Sequence, residues 1–486
     1  MKRSAILLIA ISSCLVSLSC SKDNEPDYKP PIPIEPEEEV VGSAQFWVTN
    51  GDKTKLLSQQ GNLEIIDNTE TNYPVITIDP ATQFQEIVGF GAALTGSSAY
   101  LINGLGNVQK NILLRELFDV EGGIGISYLR LTIGASDFSL KDFTYNDLLP
   151  GEEDPELTQF SIAEDEKHII PVFQNILEIS PDIKIMGSPW SAPAWMKTNQ
   201  SLQGGSLKPI WYNAYANYFV KYIKAYANYG ITIDAITPQN EPLHEAGYPT
   251  MKMEASAQTE FIKNSLGPLF EAAGINTKII AYDHNFDKPA YSISILEDNE
   301  ANKYVSGTAF HAYAGDVSAM SVVHQAFPDK GLYFTEISGG EWATNFSDNL
   351  KWYMKNILIG TTKNWSKNAL FWNLALNENF GPTNNGCQDC RGVVTIKSSG
   401  EIDKNVEYYS IGHFSKFVRP GARRIASTEF PSGSGLNSVS FKNTDNSKVL
   451  IVLNESSENK IFSVIINNTL FNASLEANAV ASIIWN

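Results

Sequence analysis

Two carboxylates carry the first chemical signal in this sequence. Glu241 stands in Thr237-Pro238-Gln239-Asn240-Glu241-Pro242 and Glu336 in Tyr333-Phe334-Thr335-Glu336. Each follows a short apolar run, 231–236 and 331–334, of the kind that forms a strand buried on both faces of a parallel sheet. In a (β/α)8 barrel the C-terminal strand ends make the catalytic face, so both acids would open onto one cavity. Two carboxylates across one cavity are what glycosidic bond cleavage needs, one as proton donor and one as nucleophile.

The elements that must position them are legible as alternation. Eight strand candidates occur: Ile87–Gly91, Ile126–Gly134, Lys184–Trp190, Ala235–Asn240, Lys278–His284, Gly307–Tyr313, Gly331–Glu336 and Ala369–Leu374. Amphipathic stretches such as Tyr212–Tyr229 and Ala255–Ala273 lie between them. This predicts an α/β chain with a (β/α)8 TIM barrel over 81–424. From 425 to 486, Leu436–Phe441, Lys448–Leu453, Lys460–Ile466 and Ala479–Trp485 alternate in strand fashion between Asn, Asp, Ser and Gly, which predicts a small β-sandwich. Strands at Gln45–Thr49, Asn62–Ile66 and Val75–Ile78, within 43–80, are expected to complete it, so the sandwich would be built from N- and C-terminal strands.

The 486 residues can bury a large core, and 43% hydrophobic with 19% charged residues is ordinary for a folded protein. A net charge of −18 disfavours nucleic acid and anionic membranes and leaves a neutral glycan unaffected. Residues 1–20 read as a secretory signal: Lys2-Arg3, an apolar stretch, then Ser17-Leu18-Ser19-Cys20. Small residues before Cys20 resemble a bacterial lipoprotein processing site, which predicts a lipid anchor at Cys20 and an outer-membrane location, periplasmic or cell-surface. The acidic, Pro-rich segment 21–42 reads as a spacer. Cys387-Gln388-Asp389-Cys390 is a lone CxxC in an exported chain; no second pair exists for a metal, so it is read as a local disulfide. His244-Glu245 lacks the second His of a zinc helix, and no phosphate-binding Gly loop is present. No metal, cofactor or partner subunit is expected.

Several segments together resemble glycoside hydrolase family 30: Ile87-Val88-Gly89-Phe90-Gly91-Ala92-Ala93-Leu94-Thr95, 187–197 (Gly-Ser-Pro-Trp-Ser-Ala-Pro-Ala-Trp-Met-Lys), 237–242, Phe310-His311-Ala312-Tyr313, Phe334-Thr335-Glu336 and 412–422 (Gly-His-Phe-Ser-Lys-Phe-Val-Arg-Pro-Gly-Ala). They occur in family order across about 45–486. The resemblance implies a clan A barrel with an attached sandwich and a retaining β-glycosidase, in a family that includes glucosylceramidases, β-1,6-glucanases, β-glucosidases and xylanases. It implies Glu241 as acid/base, with a raised pKa, and Glu336 as an ionised nucleophile. It further implies Asn240 at the sugar 2-hydroxyl, and His311 and Tyr313 beside the nucleophile and the sugar. Trp190 and Trp372 would form an apolar platform under a sugar face.

Arg130, a charge inside an apolar strand, requires an anionic partner, and Glu336 is the obvious one. Trp195 reads equally well as core. Asp137, Asp283 and His284 are candidate cleft residues only. One departure stands out: the glucosylceramidase pattern places Asp after Gly-Phe-Gly-Gly-Ala-Met-Thr, as a carboxylate for sugar hydroxyls, whereas Gly96 follows Thr95 here. Together with the Asn385-Gly386-Cys387…Cys390-Arg391-Gly392 loop, this favours β-1,6-glucan over a ceramide-linked substrate. Glucosylceramide, a β-glucoside, xylan, galactan or a β-fucoside would use the same two acids. A surface lipoprotein that only binds glycans is the reading from another class.

Overall fold

The computed structural model describes residues 39–486; the leader, Cys20 and most of the spacer lie outside them. Eight parallel strands form the barrel: β1 (Gly89–Leu94), β2 (Tyr128–Ile133), β3 (Lys184–Pro189), β4 (Ala235–Ile236), β5 (Lys278–Asn285), β6 (Val305–His311), β7 (Gly331–Glu336) and β8 (Asn368–Asn373). From β1 to β7 each strand pairs with its sequence neighbour, and β8 pairs with β1. Between β7 and β8 the ring is tied by a parallel bridge at Leu332 and Ser366 and by the Asn368 side chain on the Phe334 N–H.

The strand pleat explains where the chemistry sits. Tyr128, Met186, Ala235, Ile280, Ala309, Tyr333 and Leu370, one from each of β2–β8, cluster with at most 3% exposure and fill the barrel interior. Two residues further along the same strands stand Arg130, Ser188, Thr237, His311, Thr335 and Trp372. Side chains of a strand alternate with a period of two, so the residues above the apolar layer share its face and form a mostly polar layer.

β5 is the exception. Tyr282 and Asp283 both have positive φ (72° and 69°), and the register against β6 shifts between Ala309 and Phe310. This bulge inserts one residue and turns Asp283, not Tyr282, into the polar layer. A second shift between Phe310 and His311 leaves Thr335 extra on β7, so Thr335 and Glu336 both reach the site.

The second body is a ten-stranded antiparallel-rich sheet folded over its own core. Val40–Asn50 pairs antiparallel with Ala479–Trp485, and Val75–Glu86 pairs parallel with Lys460–Ile466. Two sequence boundaries are corrected. The first strand starts at Val40, inside the expected spacer, because its backbone continues a ladder with Leu63–Ile66 as far as Val40. Val75–Glu86 runs beyond 80 and pairs with Arg423–Ser427, so 81–86 and 423–424 belong to sandwich strands.

The helix Val406–Ser415 packs between barrel and sandwich, where buried His413 meets the Thr49 hydroxyl through Nε2 and the Ser482 hydroxyl through Nδ1, both at 2.8 Å. No helix among the described residues is long and apolar enough to cross a membrane.

Candidate active site

Arg130 is the hub. Fully buried, it donates to Glu336 Oε2 (2.5 Å), Asn240 Oδ1 (2.7 Å) and Asp283 Oδ2 (2.8 Å), with Ser188 Oγ at 3.3 Å. The expected partner, Glu336, is present. The second partner, Asp283, was foreseen only as a cleft candidate. A buried cation with two carboxylates in hydrogen-bond contact is compensated where an isolated one would not be.

Asp283 is saturated. Oδ2 accepts from Arg130, Ser188 (3.0 Å) and Thr237 (2.7 Å); Oδ1 accepts from Thr335 (2.6 Å) and meets His311 Nε2 at 3.1 Å. Burial works to raise its pKa, but the Arg130 charge and the His311 and Thr335 hydrogen bonds outweigh it and hold the carboxyl far below the usual range.

His311 therefore lies between two acids, Asp283 on Nε2 and Glu241 Oε1 on Nδ1, both at 3.1 Å. Burial lowers its pKa, but Glu336 and the two hydrogen-bonded carboxylates drive it up to about 9. The expectation of a raised Glu241 is corrected. Burial raises this acid, yet the His311 hydrogen bond and charge outweigh burial and hold it below its ordinary value. Glu336 is shifted upward by burial, reinforced by Glu241 and Asp283 and opposed by His311 and Arg130. Its Oε1 accepts the Tyr313 hydroxyl at 3.0 Å.

The Glu241 and Glu336 carboxylates and the His311 ring place one oxygen or nitrogen each within 4.8 Å of one another. Oxygens this close suit direct attack by one acid while the other donates a proton, the arrangement of retaining glycosidases, whose carboxyl groups stand roughly 5–5.5 Å apart. Glu241 holds φ 44°, and its N–H donates to the Asp283 carbonyl at 3.0 Å. A left-handed non-glycine residue costs on the order of 1–3 kcal/mol and persists only where its surroundings fix it. Here the β4 and β5 ends lock one another.

Trp190 and Trp372 stack on each other (5.0 Å, 18°) with Arg130 over both rings, so they form one buried pair and not two open faces. Trp195 is core: it packs on Trp211 and donates to Asn146. His284 lies 3.9 Å from Glu241 and is kept neutral, its pKa pulled to about 4 by burial.

Gly96 opens a helix against Ser139, and the part-buried Asp137 in Ala135-Ser136-Asp137-Phe138 carries a carboxyl that senses the charge of both acids. Burial raises the Asp137 pKa, and Glu336 and Glu241 add to it. Tyr248, missed in the sequence, packs on the Trp190–Trp372 cluster, and burial with the same three acids raises its hydroxyl. A Tyr seven positions after Glu241 has no spacing signal of its own; its position on the loop after β4 was the only available hint.

Cys387 and Cys390 form a disulfide, and both pack in that cluster.

Residues 87–418 match the glycosyl hydrolase family 30 TIM-barrel domain and 421–483 the family 30 beta sandwich domain. The chain is 35% identical over 405 residues to an endo-1,6-beta-D-glucanase of Neurospora crassa, covering 80% of this chain and 82% of that one. It is 33% identical over 414 residues to the lysosomal acid glucosylceramidase of Mus musculus, covering 79% and 78%. The solved structure of an endo-beta1,6-glucanase superposes with a TM-score of 0.85 at 36% identity, over 91% of this chain and 99% of that one. A parallel polar layer of this composition, in a barrel with this sandwich and these matches, leaves one assignment: the chain belongs to glycosyl hydrolase family 30.

Proposed function

We propose that this enzyme cleaves β-1,6-glucan by double displacement, with Glu336 as nucleophile and Glu241 as acid/base. The approach of the two carboxylates within 4.8 Å carries the mechanism. The substrate rests on relatives at 35% and 36% identity that are named endo-1,6-glucanases. Arg130 and Tyr313 hold one orientation of Glu336, with Oε2 on the guanidinium and Oε1 on the phenol.

The His311–Glu241 contact supplies the proton. In water the pair is His311⁺ and Glu241⁻, joined through Nδ1. Substrate that excludes water penalises both charges, and the Nδ1 proton moves 3.1 Å-bridged to Glu241, leaving neutral His311 still anchored on Asp283. Attack by Glu336 removes its negative charge, the largest charge raising the His311 pKa, so the ring stays neutral and does not reclaim the proton. Glu241 protonates that oxygen, then as a carboxylate takes a proton from the water that opens the glycosyl ester. Asn240, whose Oδ1 accepts from Arg130, would meet the 2-hydroxyl through its amide N–H.

The test is product analysis on β-1,6-glucan beside glucosylceramide and xylan. Release from the glucan alone supports the reading; release only from another substrate overturns the linkage and keeps the two-acid mechanism. The segment before residue 39 adds a separate proposal, export and acylation at Cys20, checked by fatty-acid labelling of wild type against Cys20→Ala.

A further inference from the structure

We propose that Trp342 is a second sugar platform at the rim of the reaction pocket, taking the next residue of the glucan chain. This rests on the glucan reading above. The indoles inside the pocket are closed on each other, with Trp190 and Trp372 only 2% and 3% exposed, whereas Trp342 is 57% exposed. It lies on the loop leaving β7, six positions after Glu336.

The loop is fixed rather than free. Gly339–Gly340 pairs antiparallel with Cys390–Arg391, and the Glu341 N–H donates to the Asp389 carbonyl at 2.9 Å. Arg391 binds Glu407 at 2.8 Å, and the Ala343 N–H closes a turn on the Gly340 carbonyl. The six-membered ring of the indole sits on Gly340: a Cβ there would meet its Cζ3 and Cη2 at 2.0 and 2.4 Å, so only glycine seats the ring.

The strand that pairs with Gly339–Gly340 belongs to a loop that touches the pocket. Cys387 and Cys390 pack with Trp190 and Trp372, and a Cβ on Gly386 would meet Asp137 at 2.6 Å. One disulfide-closed segment therefore contacts the pocket wall at Gly386 and Cys390 and the exposed indole through Gly340 and Asp389. A solvent-facing indole held in one orientation by backbone pairing offers an apolar face to the C–H face of a sugar at little entropic cost. A β-1,6 linkage adds an exocyclic carbon between rings, which lengthens the step from the pocket to such a rim.

The experiment measures binding, with turnover blocked by Glu336→Gln, for β-1,6-, β-1,3- and β-1,4-linked gluco-oligosaccharides from one to six sugars. Calorimetry on Glu336→Gln should show affinity rising with length for the bound linkage. Adding Trp342→Ala should cost about tenfold of that gain, and Trp342→Phe less, as expected for loss of one aromatic contact. A length gain that survives Trp342→Ala, or no gain beyond one sugar for any linkage, overturns the platform. Which linkage binds tests the substrate reading separately, because loss of the gain in any linkage supports the platform. Trp342 is exposed, so both variants are expected to fold.

Discussion

Two histidines of this chain are fully buried with both ring nitrogens hydrogen-bonded, yet one is held neutral and the other charged. His413, at the seam of barrel and sandwich, faces the Thr49 and Ser482 hydroxyls, and burial pulls its pKa down to about 3. His311, in the polar layer of the barrel, faces Asp283 and Glu241 and is driven up to about 9. Burial acts on both in the same direction; the partners decide the outcome. A neutral histidine between hydroxyls can only fasten two bodies together. A charged one between carboxylates, one of them locked ionised by Arg130, can pass its proton to the other.

The contrast is sharpest when the proton's destination is removed. Glu336→Gln should lower kcat by at least about 10⁴-fold with folding intact, since nucleophile removal abolishes the covalent route. Glu241→Gln should cost about 10²–10⁴-fold on glucan, whose alkoxide leaving group needs protonation, and much less on a nitrophenyl β-glucoside, whose leaving group does not. Equal losses on the two substrates would contradict the acid role.

His311→Gln should reduce kcat about 10²-fold and flatten the alkaline limb of the pH–rate profile. His413→Gln should leave turnover per folded molecule within about twofold and lower stability by about 1–3 kcal/mol, the cost of unpaired buried hydroxyls. Denaturant melts at pH 7 with parallel kinetics separate the two variants.

The pH dependence of stability gives the smallest and most discriminating effect. The folded chain holds a proton on His311 that the unfolded chain releases, so this stabilisation is complete below pH 6.5 and is lost as pH rises through about 9. His413 works on the other side. Between pH 6.5 and about 3 the unfolded chain takes up a proton that the folded chain refuses, and stability falls with acidification. His311→Gln should flatten the alkaline slope and His413→Gln the acid slope; the reverse pattern would break the comparison.

How much of this was legible follows from backbone periodicity. Arg130, Glu241, His311 and Glu336 were readable because each is a polar residue on, or just after, an apolar strand. Asp283 sits after Tyr282, out of phase with Ile280, and only the bulge turns it inward. Its role as the partner of both Arg130 and His311 could not be counted from spacing. Asp137 was legible only as a cleft candidate, since nothing in its spacing says that its carboxyl faces the two acids. The sandwich boundaries slipped because the strand end at 40 is fixed by pairing with Ile66 and that at 86 by Arg423 at the far end of the barrel segment, not by local pattern.

The most direct test of the central claim is to trap the intermediate. Incubation with an activated 2-deoxy-2-fluoro β-glucoside, followed by peptide mass spectrometry, should place one sugar on the peptide bearing Glu336, with the label absent in Glu336→Gln. A sugar on the Glu241 peptide, or turnover with inversion at the anomeric carbon and no label, would contradict the account.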